Sequence, residues 1–319
     1  MRAIVFRSYG GSAVLEAADL PTPEPGRGQL LVRVRASSVN PIDWKVASGK
    51  FRPILRAHFP QVPGYDVAGE VVRWGPGVTG FAAGARVHAR LIEGAACAEY
   101  TLARPQMITP IPAGMDFTTA AGLPLAGMTA LQGLRDAGGM PLHGAKQRVL
   151  VMGASGGVGH LAVQIARAAG ATVIGVCSAK NRALVQGLGA QEVIDYGAAE
   201  PYRDLAPCNI VLDCVGESPA AWLPHLVPAG RFVSIVPSPA VFLRSAWSFF
   251  SGKKVRPVFL KANEADLRIL DDLASAGKLR VVVDQRFPLE ELRAAWDRSI
   301  AGHAVGKIII DVAPAASAA

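Results

Sequence analysis

A strand, a glycine-rich turn and a helix follow one another in residues 149–169. Val149–Met152 is an uninterrupted apolar run, which is typical of a strand buried on both faces of a parallel sheet. Gly153–Gly159 then form a turn with little side-chain bulk, and Leu161–Ala169 has helical composition without a breaker. This order predicts a phosphate-binding turn, because backbone N–H groups can approach a pyrophosphate at the helix N-terminus. The predicted ligands in the turn are Gly153, Ser155, Gly156, Gly157 and Val158.

Strands and helices alternate from about residue 121 onward. The predicted strands are Arg148–Met152, Thr172–Cys177, Val193–Tyr196, Asn209–Cys214 and Gly230–Val236. The predicted helices are Leu125–Leu134, His160–Ala169, Asn181–Leu188 and Pro219–Val227, the last of them interrupted by Pro224. Buried strands that alternate with helices predict a doubly wound parallel sheet, which binds dinucleotides at the carboxyl edge of its strands.

Residues 1–120 are instead rich in short strand candidates separated by Gly and Pro turns. These candidates are Ala3–Phe6, Leu30–Ala36, Val67–Trp74, Ala85–Arg90 and Ala98–Leu102. Asp116 is a predicted N-cap for a short helix that reaches Gly122. The pattern predicts a β-barrel or sandwich, so the whole chain is expected to be an α/β protein.

The last third of the chain begins with a less regular segment, Pro237–Lys261, which contains a strand candidate at Val255–Lys261. Aromatic residues interleave there with basic ones: Phe242, Trp247, Phe249 and Phe250 among Arg244, Lys253, Lys254 and Arg256. Such a segment can contact RNA or a membrane, but a lid or a subunit interface is the favoured interpretation. The elements predicted after it are helices Glu264–Ala276 and Leu289–Ile300, strands Leu279–Val283 and Lys307–Val312, and a disordered tail, Ala313–Ala319.

The bulk composition narrows the class of protein. A length of 319 residues suggests two domains, and 50% hydrophobic residues suffice for sizeable cores. No apolar run approaches the roughly 20 residues of a membrane span, so a cytoplasmic protein is expected. The four cysteines form no CxxC pair, which indicates reduced, buried thiols. The net charge of +8 is diffuse, and no nucleic-acid-binding motif accompanies it.

The residues after the second strand of the predicted parallel sheet indicate which dinucleotide binds. Sites for NAD usually place a carboxylate there, but no acidic residue occurs between Gly159 and Glu192. Ser178 and Lys180 are the predicted ligands of a 2′-phosphate, with Asn181 and Arg182 as helpers. The alternative is an exposed N-cap serine followed by solvated basic residues. We therefore expect NADP rather than NAD.

Several motifs resemble the zinc-independent quinone oxidoreductase (zeta-crystallin-like) branch of the medium-chain dehydrogenase/reductases. They are Asn40–Lys45, Pro63–Glu70, Leu123–Ala130, Gly153–Gly159, Leu188–Tyr196 and Gly302–Ile308, which occur in the family's order along the whole chain. The resemblance implies a GroES-like catalytic domain formed by residues 1–120 and 285–319. A Rossmann NADP-binding domain, residues 121–284, is inserted between them. It also implies a homodimer formed through the nucleotide-binding domain.

The resemblance also indicates that there is no metal site. Zinc-dependent relatives place a cysteine near position 40, a His-Glu pair near 65 and 66, and a four-cysteine loop near 90–110. This sequence has Asn40, Tyr65 and Asp66 at the first two places, and only Cys97 in the last region. Zinc needs three or four ligands with matching geometry, and these positions do not supply them.

A metal-free enzyme of this kind is expected to reduce a quinone or an α,β-unsaturated carbonyl with NADPH, because such acceptors take hydride directly. By resemblance, Asn40 and Asp43 lie near the nicotinamide or hold the loop that faces it, and Tyr65 can offer its hydroxyl to the developing oxyanion. Asn40 and Tyr65 are thus the catalytic candidates. Asn40 can also be only a turn residue, Asp43 can pair locally, and Tyr65 can serve in packing.

The remaining cofactor contacts come from family positions and from the ends of predicted strands. They are Thr129, Tyr196, Val215, Ile235 and Lys307. Thr129 can instead be a helix-interior threonine, and Lys307 a solvated lysine at the start of a strand.

Two rival functions use the same architecture. An enoyl-thioester reductase needs a basic rim for a carrier phosphopantetheine, for which Arg244–Arg256 is the available segment. A non-catalytic NADPH-binding or RNA-binding protein is the other rival, since some zeta-crystallin-like proteins act in that way. Turnover of NADPH with quinones and an alkenal distinguishes the quinone or enone reductase from the non-catalytic binding protein.

Overall fold

The computed structural model describes residues 1–52, 57–236, 238–248 and 252–312. The chain divides into two compact units. The first unit contains residues 1–125, 262–272 and the described residues from 281 onward, and the second contains residues 126–261 and 273–280. The predicted domain boundaries lie at 120/121 and 284/285, so the first unit contains residues 121–125, 262–272 and 281–284 in addition to those predicted for it.

The described residues form the following strands. They are β1 (Arg2–Val5), β2 (Glu16–Asp19), β3 (Leu30–Val39), β4 (Asp66–Trp74), β5 (Arg86–Arg90), β6 (Tyr100–Ala103), β7 (Ile108–Pro110), β8 (Arg148–Met152), β9 (Thr172–Cys177), β10 (Glu192–Asp195), β11 (Cys208–Asp213), β12 (Leu226–Ser234), β13 (Lys254–Pro257), β14 (Val283–Pro288) and β15 (Lys307–Asp311).

The same residues form the following α-helices. They are α1 (Pro41–Ala47), α2 (Phe117–Gly122), α3 (Pro124–Gln132), α4 (Gly159–Ala169), α5 (Arg182–Gly187), α6 (Pro219–Trp222), α7 (Pro239–Trp247), α8 (Glu264–Ser275) and α9 (Leu292–Ile300). Asp116 caps α2 as predicted, because its carboxylate accepts a hydrogen bond from the Thr119 amide at 2.7 Å. None of the helices in the described ranges is long and apolar enough to cross a membrane.

The first unit is built around a largely antiparallel sheet with the order β14-β15-β3-β4-β5-β7, in which β6 also pairs with β3. Strand β15 pairs antiparallel with β3, so that Ile310 lies opposite Ser37. Ile308, Ile310 and Trp296 from the end of the chain are buried in one core with residues such as Leu30. Burial of these C-terminal side chains explains why the chain returns to the first unit after residue 281.

The second unit is a six-stranded sheet with the order β10-β9-β8-β11-β12-β13, and every neighbouring pair is parallel. Strand order reverses between β8 and β11, so the sheet is doubly wound. Its central residues, such as Leu150, Val173 and Val211, are completely buried. The predicted α/β architecture of a β-rich unit and a doubly wound parallel sheet is confirmed, because continuous apolar runs require both faces of the sheet to be covered.

The strand predicted at Leu279–Val283 is wrong, since the strand in this part of the chain is β14 at Val283–Pro288. The Gln164 side-chain amide explains the difference. It donates to the Arg280 carbonyl and accepts from the Arg280 amide, both at 2.9 Å. The Arg280 amide and carbonyl are therefore not available to a sheet ladder.

The segment predicted to be less regular, Pro237–Lys261, contains helix α7. Ser238 caps this helix, because its hydroxyl accepts from the Val241 amide at 3.3 Å, and Pro239 occupies the first turn. The predicted strand Val255–Lys261 is shorter and is β13. Phe249, Phe250 and the tail Ala313–Ala319 lie outside the described residues, so the predictions for them stay untested.

Candidate functional site

The glycine turn of the second unit lies between β8 and α4, at the carboxyl edge of the sheet. Gly153 has a φ of 68°, which favours glycine. A Cβ added to Gly159 would lie 2.0 Å from the Gly153 carbonyl oxygen, so the first turn of α4 can approach the strand only without a side chain. Within the described part of the chain, the amides of Gly157 and Val158 have no hydrogen-bond partner. Unpaired amides at a helix N-terminus suit a pyrophosphate.

The predicted phosphate ligands at the end of β9 are arranged around a short turn. The Asn181 side chain donates to the Ser155 hydroxyl at 3.0 Å, so the structure brings these two predicted residues together. Ser178 is half-buried and Lys180 is exposed directly beyond the strand. Arg182 donates to the Val193 carbonyl at 2.8 Å, which ties its guanidinium to the neighbouring strand.

Sequence reasoning missed a carboxylate at this edge. Asp195 ends β10 and lies opposite Cys177 in the parallel register. Its carboxylate accepts from the Gly197 amide at 3.0 Å. The stretch without acidic residues extends only to Glu192, whereas strand pairing brings residue 195 beside residue 177. Tyr196 follows, with 51% of its surface exposed.

Asp213 was also missed, although it organises the loop after β11. It is completely buried, and one carboxylate oxygen accepts from the amides of Val215, Gly216 and Glu217 at 3.0, 2.8 and 3.2 Å. The other oxygen accepts from the Ser234 hydroxyl at 2.8 Å. Because hydrogen bonds to a buried carboxylate fix the backbone, Asp213 positions the predicted cofactor residue Val215 at the edge. A single acid at the end of an apolar strand was the available sequence signal.

Two further predicted cofactor residues belong to this unit. The Ile235 amide donates to the Asp213 carbonyl oxygen at 3.1 Å, so Ile235 lies beside the Asp213 loop. Thr129 lies in helix α3 and is 8% exposed.

The first unit contains a buried polar cluster of Asn40, Asp66 and Lys307, none of them more than 2% exposed. The Lys307 ammonium donates to the Asn40 side-chain oxygen at 2.6 Å and lies 3.6 Å from an Asp66 carboxylate oxygen. The Asn40 side-chain nitrogen donates to that same oxygen at 2.8 Å. Two predicted cofactor contacts, Asn40 and Lys307, therefore contact each other. Burial lowers the pKa of Lys307, and the nearby carboxylates oppose that shift.

Asp66 is the acceptor that holds this cluster together. Besides Asn40, it accepts from the Ser38 hydroxyl at 2.7 Å and from the Leu125 amide at 2.8 Å. A fully buried carboxylate needs such partners, because an unpaired one would carry a large desolvation cost. In the sequence, Asp66 is notable only as the replacement of a zinc ligand, and no local pattern indicates this role.

Asp43 and Tyr65 extend the polar region. The Asn40 amide donates to an Asp43 carboxylate oxygen at 2.6 Å at the start of α1. Burial, partly opposed by that hydrogen bond, raises the pKa of Asp43 to about 8. Tyr65 is 7% exposed, and the Arg90 guanidinium lies 5.1 Å from its ring centroid. Burial raises the pKa of Tyr65, and the Asp43 charge adds to the shift.

The raised pKa of Asp43 predicts a pH-dependent stability. In the folded state Asp43 binds its proton more tightly than in the unfolded chain, where its pKa is 3.8. Protonated Asp43 therefore contributes to the stability of the fold at low pH. This contribution is lost as the pH rises from about 4 to about 8. We expect Asp43→Asn to gain stability relative to the wild type across this window, by at most about 1.4 kcal/mol per pH unit. Urea unfolding of both proteins at several pH values measures this, and a constant difference contradicts it.

The cysteines and the acidic residues have no metal-binding arrangement in the described ranges. No group of three or more His, Cys, Asp or Glu side chains could hold a metal ion there. The four cysteines form no disulfide; Cys97, Cys177 and Cys208 are buried and Cys214 is half-buried.

Two family models match the chain. The alcohol dehydrogenase GroES-like domain matches residues 26–140, and the zinc-binding dehydrogenase model matches residues 188–310. The chloroplast envelope quinone oxidoreductase homolog of Arabidopsis thaliana is 38% identical, with 98% of both chains covered. The NADPH-dependent alkenal/one oxidoreductase of the same plant is 32% identical over 97% of this chain and 79% of its own. The solved quinone oxidoreductase from Coxiella burnetii has a TM-score of 0.88 at 34% identity, covering 98% of this chain and 99% of that one.

Proposed function

Because the chain belongs to the quinone oxidoreductase branch of the medium-chain dehydrogenase/reductase superfamily, we propose that it transfers hydride from NADPH to a quinone or an α,β-unsaturated carbonyl. The protein is an oxidoreductase. The observation that carries the proposal is the glycine turn at the carboxyl edge of a doubly wound sheet, where the Gly157 and Val158 amides have no partner among the residues that the structure describes. The curated relatives support it, since two of them are named as reductases of these acceptor classes.

The second unit has a chemically suitable set of groups for a nicotinamide dinucleotide. The amides of Gly157 and Val158 would bind the pyrophosphate. A Cβ on Gly153 would lie 2.7 Å from the Val215 side chain, so the turn can adopt this close packing only with glycine there. Ser178 and Lys180 would bind the 2′-phosphate of NADPH, while Asn181 orients Ser155. Tyr196, Val215 and Ile235 would line the remaining edge. Thr129 would contact the cofactor on the ground of the family resemblance alone.

Bound NADPH would supply the hydride, and on the family resemblance Tyr65 would donate a hydrogen bond to the oxyanion that the acceptor becomes. Burial raises the pKa of Tyr65, so the hydroxyl stays protonated and can donate this hydrogen bond. Lys307 and Asp66 hold the Asn40 side chain in one orientation, which makes them positioning residues. Asp43 fixes the Asn40 backbone.

Replacement of Tyr65 by phenylalanine tests the donor role. One neutral hydrogen bond contributes about 0.5–1.5 kcal/mol, so we expect kcat to fall by up to about tenfold while NADPH affinity stays unchanged. Steady-state kinetics and a nucleotide titration measure the two effects. An unchanged kcat removes Tyr65 from the chemistry.

Removal of metal ions is expected to leave turnover unchanged. The Lys307 ammonium lies 3.6 Å from an Asp66 carboxylate oxygen and already neutralises this carboxylate. A metal cation bound at Asp66 would be repelled by the ammonium charge. Asn40 and Tyr65 are poor zinc ligands. Dialysis against a chelator, with a zinc-dependent alcohol dehydrogenase treated in parallel, provides the test. Loss of activity that added zinc restores would contradict metal independence.

A panel of acceptors tests the proposed function itself. We expect NADPH consumption with phenanthrenequinone, with benzoquinone and with an alkenal. Tight NADPH binding without turnover of any acceptor would refute the reductase.

A cytoplasmic homodimer is part of the same proposal. Strand β13 is an edge strand of the parallel sheet and is therefore suited to an interface between two copies of the chain.

A further inference from the structure

The carboxyl edge of the parallel sheet has large apolar side chains exposed after four of its strands. Tyr196 follows β10 with 51% exposure, and Val215 follows β11 with 56%. Phe242 lies in helix α7 after β12 with 44% exposure, and Phe259 follows β13 with 64%. Scattered exposed apolar residues are ordinary, but a row of them along a ligand-binding edge indicates a surface that a ligand covers.

The proposed cofactor residues assign a direction along this edge. Ser178 and Lys180 follow β9, and the glycine turn follows β8. Strand order reverses between β8 and β11, so a dinucleotide bound by these groups directs its nicotinamide half toward β11 and β12. Phe242 and Phe259 follow β12 and β13 and therefore lie at the acceptor end of the row.

The two phenylalanines form a pair on anchored backbone. Their ring centroids are 6.1 Å apart, and the ring planes are inclined by 26°, which is a stacked arrangement. Val241 beside Phe242 is buried, and the Val258 amide beside Phe259 donates to the Ser234 carbonyl at 2.9 Å. The backbone is thus fixed on both sides while the rings stay exposed. Flat aromatic faces of this kind stack on other planar ring systems.

We propose that Phe242 and Phe259 form an aromatic platform that binds the ring system of the electron acceptor. The platform makes fused-ring quinones better substrates than short alkenals. This inference rests on the proposed function, and it names both the residues that determine specificity and the preferred acceptor class.

Leucine substitutions test the platform, because leucine keeps an apolar side chain and removes the aromatic face. In Phe242→Leu and in Phe259→Leu, we expect kcat/KM for phenanthrenequinone to fall by about 3- to 10-fold, as for one aromatic contact. The value for a short alkenal should stay nearly unchanged. Leu243→Ala is the matched control, since Leu243 is 63% exposed on the same helix and outside the ring pair.

Other outcomes overturn the proposal. Equal losses for both acceptors, or no loss for either, would show that the rings do not select the acceptor. Altered sedimentation of the variants with an unchanged acceptor preference would show that the pair is a contact between copies of the chain.

Binding of phenanthrenequinone to the NADP⁺-loaded protein, measured by fluorescence quenching, tests the platform without turnover. Weaker binding in both leucine variants is expected, and equal binding contradicts the platform. If wild-type protein binds this quinone but oxidises no NADPH with it, the proposed function fails while the platform stands.

Discussion

Replacement of Lys180 by alanine is expected to weaken NADPH binding by about 10- to 100-fold and to leave NADH binding nearly unchanged. A hydrogen bond to a charged group contributes about 1.5–3 kcal/mol, and only NADPH has a 2′-phosphate for Lys180 to contact. Lys180 is exposed just beyond β9, so its removal disturbs little of the fold. Fluorescence titration with both nucleotides measures the change.

A second lysine provides the control for this experiment. Lys146 is also exposed, but it precedes β8 and therefore lies at the amino edge of the same sheet. Lys146→Ala should bind both nucleotides as the wild type does. Equal weakening of NADPH and NADH in Lys180→Ala would refute the assignment of the 2′-phosphate site. The Asp195 carboxylate at the end of the neighbouring strand makes this test necessary, since a carboxylate at this edge disfavours a phosphate.

Replacement of Asp66 by alanine is expected to lower the free energy of unfolding by about 3–5 kcal/mol. The substitution removes an acceptor shared by Ser38, Asn40 and the Leu125 amide. It also leaves the Lys307 ammonium buried at 2% exposure without its carboxylate. An uncompensated buried charge is costly because water cannot solvate it. Urea unfolding measures the loss.

Glu70 in the same strand is the matched control. It pairs with Arg35 at 2.8 Å, but both side chains are about 30% exposed. Such a pair contributes about 0–1 kcal/mol, so Glu70→Ala should change stability little. The double variant Asp66→Ala/Lys307→Met should recover part of the loss, because no unpaired buried charge is left. A loss in Asp66→Ala no larger than in Glu70→Ala would contradict the importance of the cluster.

Secondary-structure elements that are determined by their local sequence could be predicted. Strands β8 and β9 agree with the prediction at both ends, because continuous apolar runs bounded by turn residues form buried strands wherever they pack. The glycine turn was identified for the same reason. Helix α7 could have been predicted from Ser238 and Pro239, which form a standard N-terminus, but the aromatic and basic residues obscured that pattern.

Contacts between distant residues could not be predicted. Lys307 and Asn40 are 267 positions apart, and nothing local indicates that the ammonium donates to that side chain. The prediction of a strand at Leu279–Val283 was wrong for a similar reason, since the backbone amide and carbonyl of Arg280 form hydrogen bonds with the side chain of Gln164. Asp195 and Asp213 acquire their positions only through strand pairing and loop hydrogen bonds. Tertiary pairing thus decides the parts of the site that local patterns leave open.

Hydride transfer is tested most directly with NADPH in which both hydrogens on C4 of the nicotinamide are replaced by deuterium. The purified protein is incubated with this cofactor and an α,β-unsaturated ketone, and the product is analysed by mass spectrometry. The proposed function predicts a saturated ketone with one deuterium at the carbon that was β to the carbonyl. An unlabelled saturated ketone would contradict it, as would a tightly bound nucleotide that is oxidised neither by this ketone nor by a quinone.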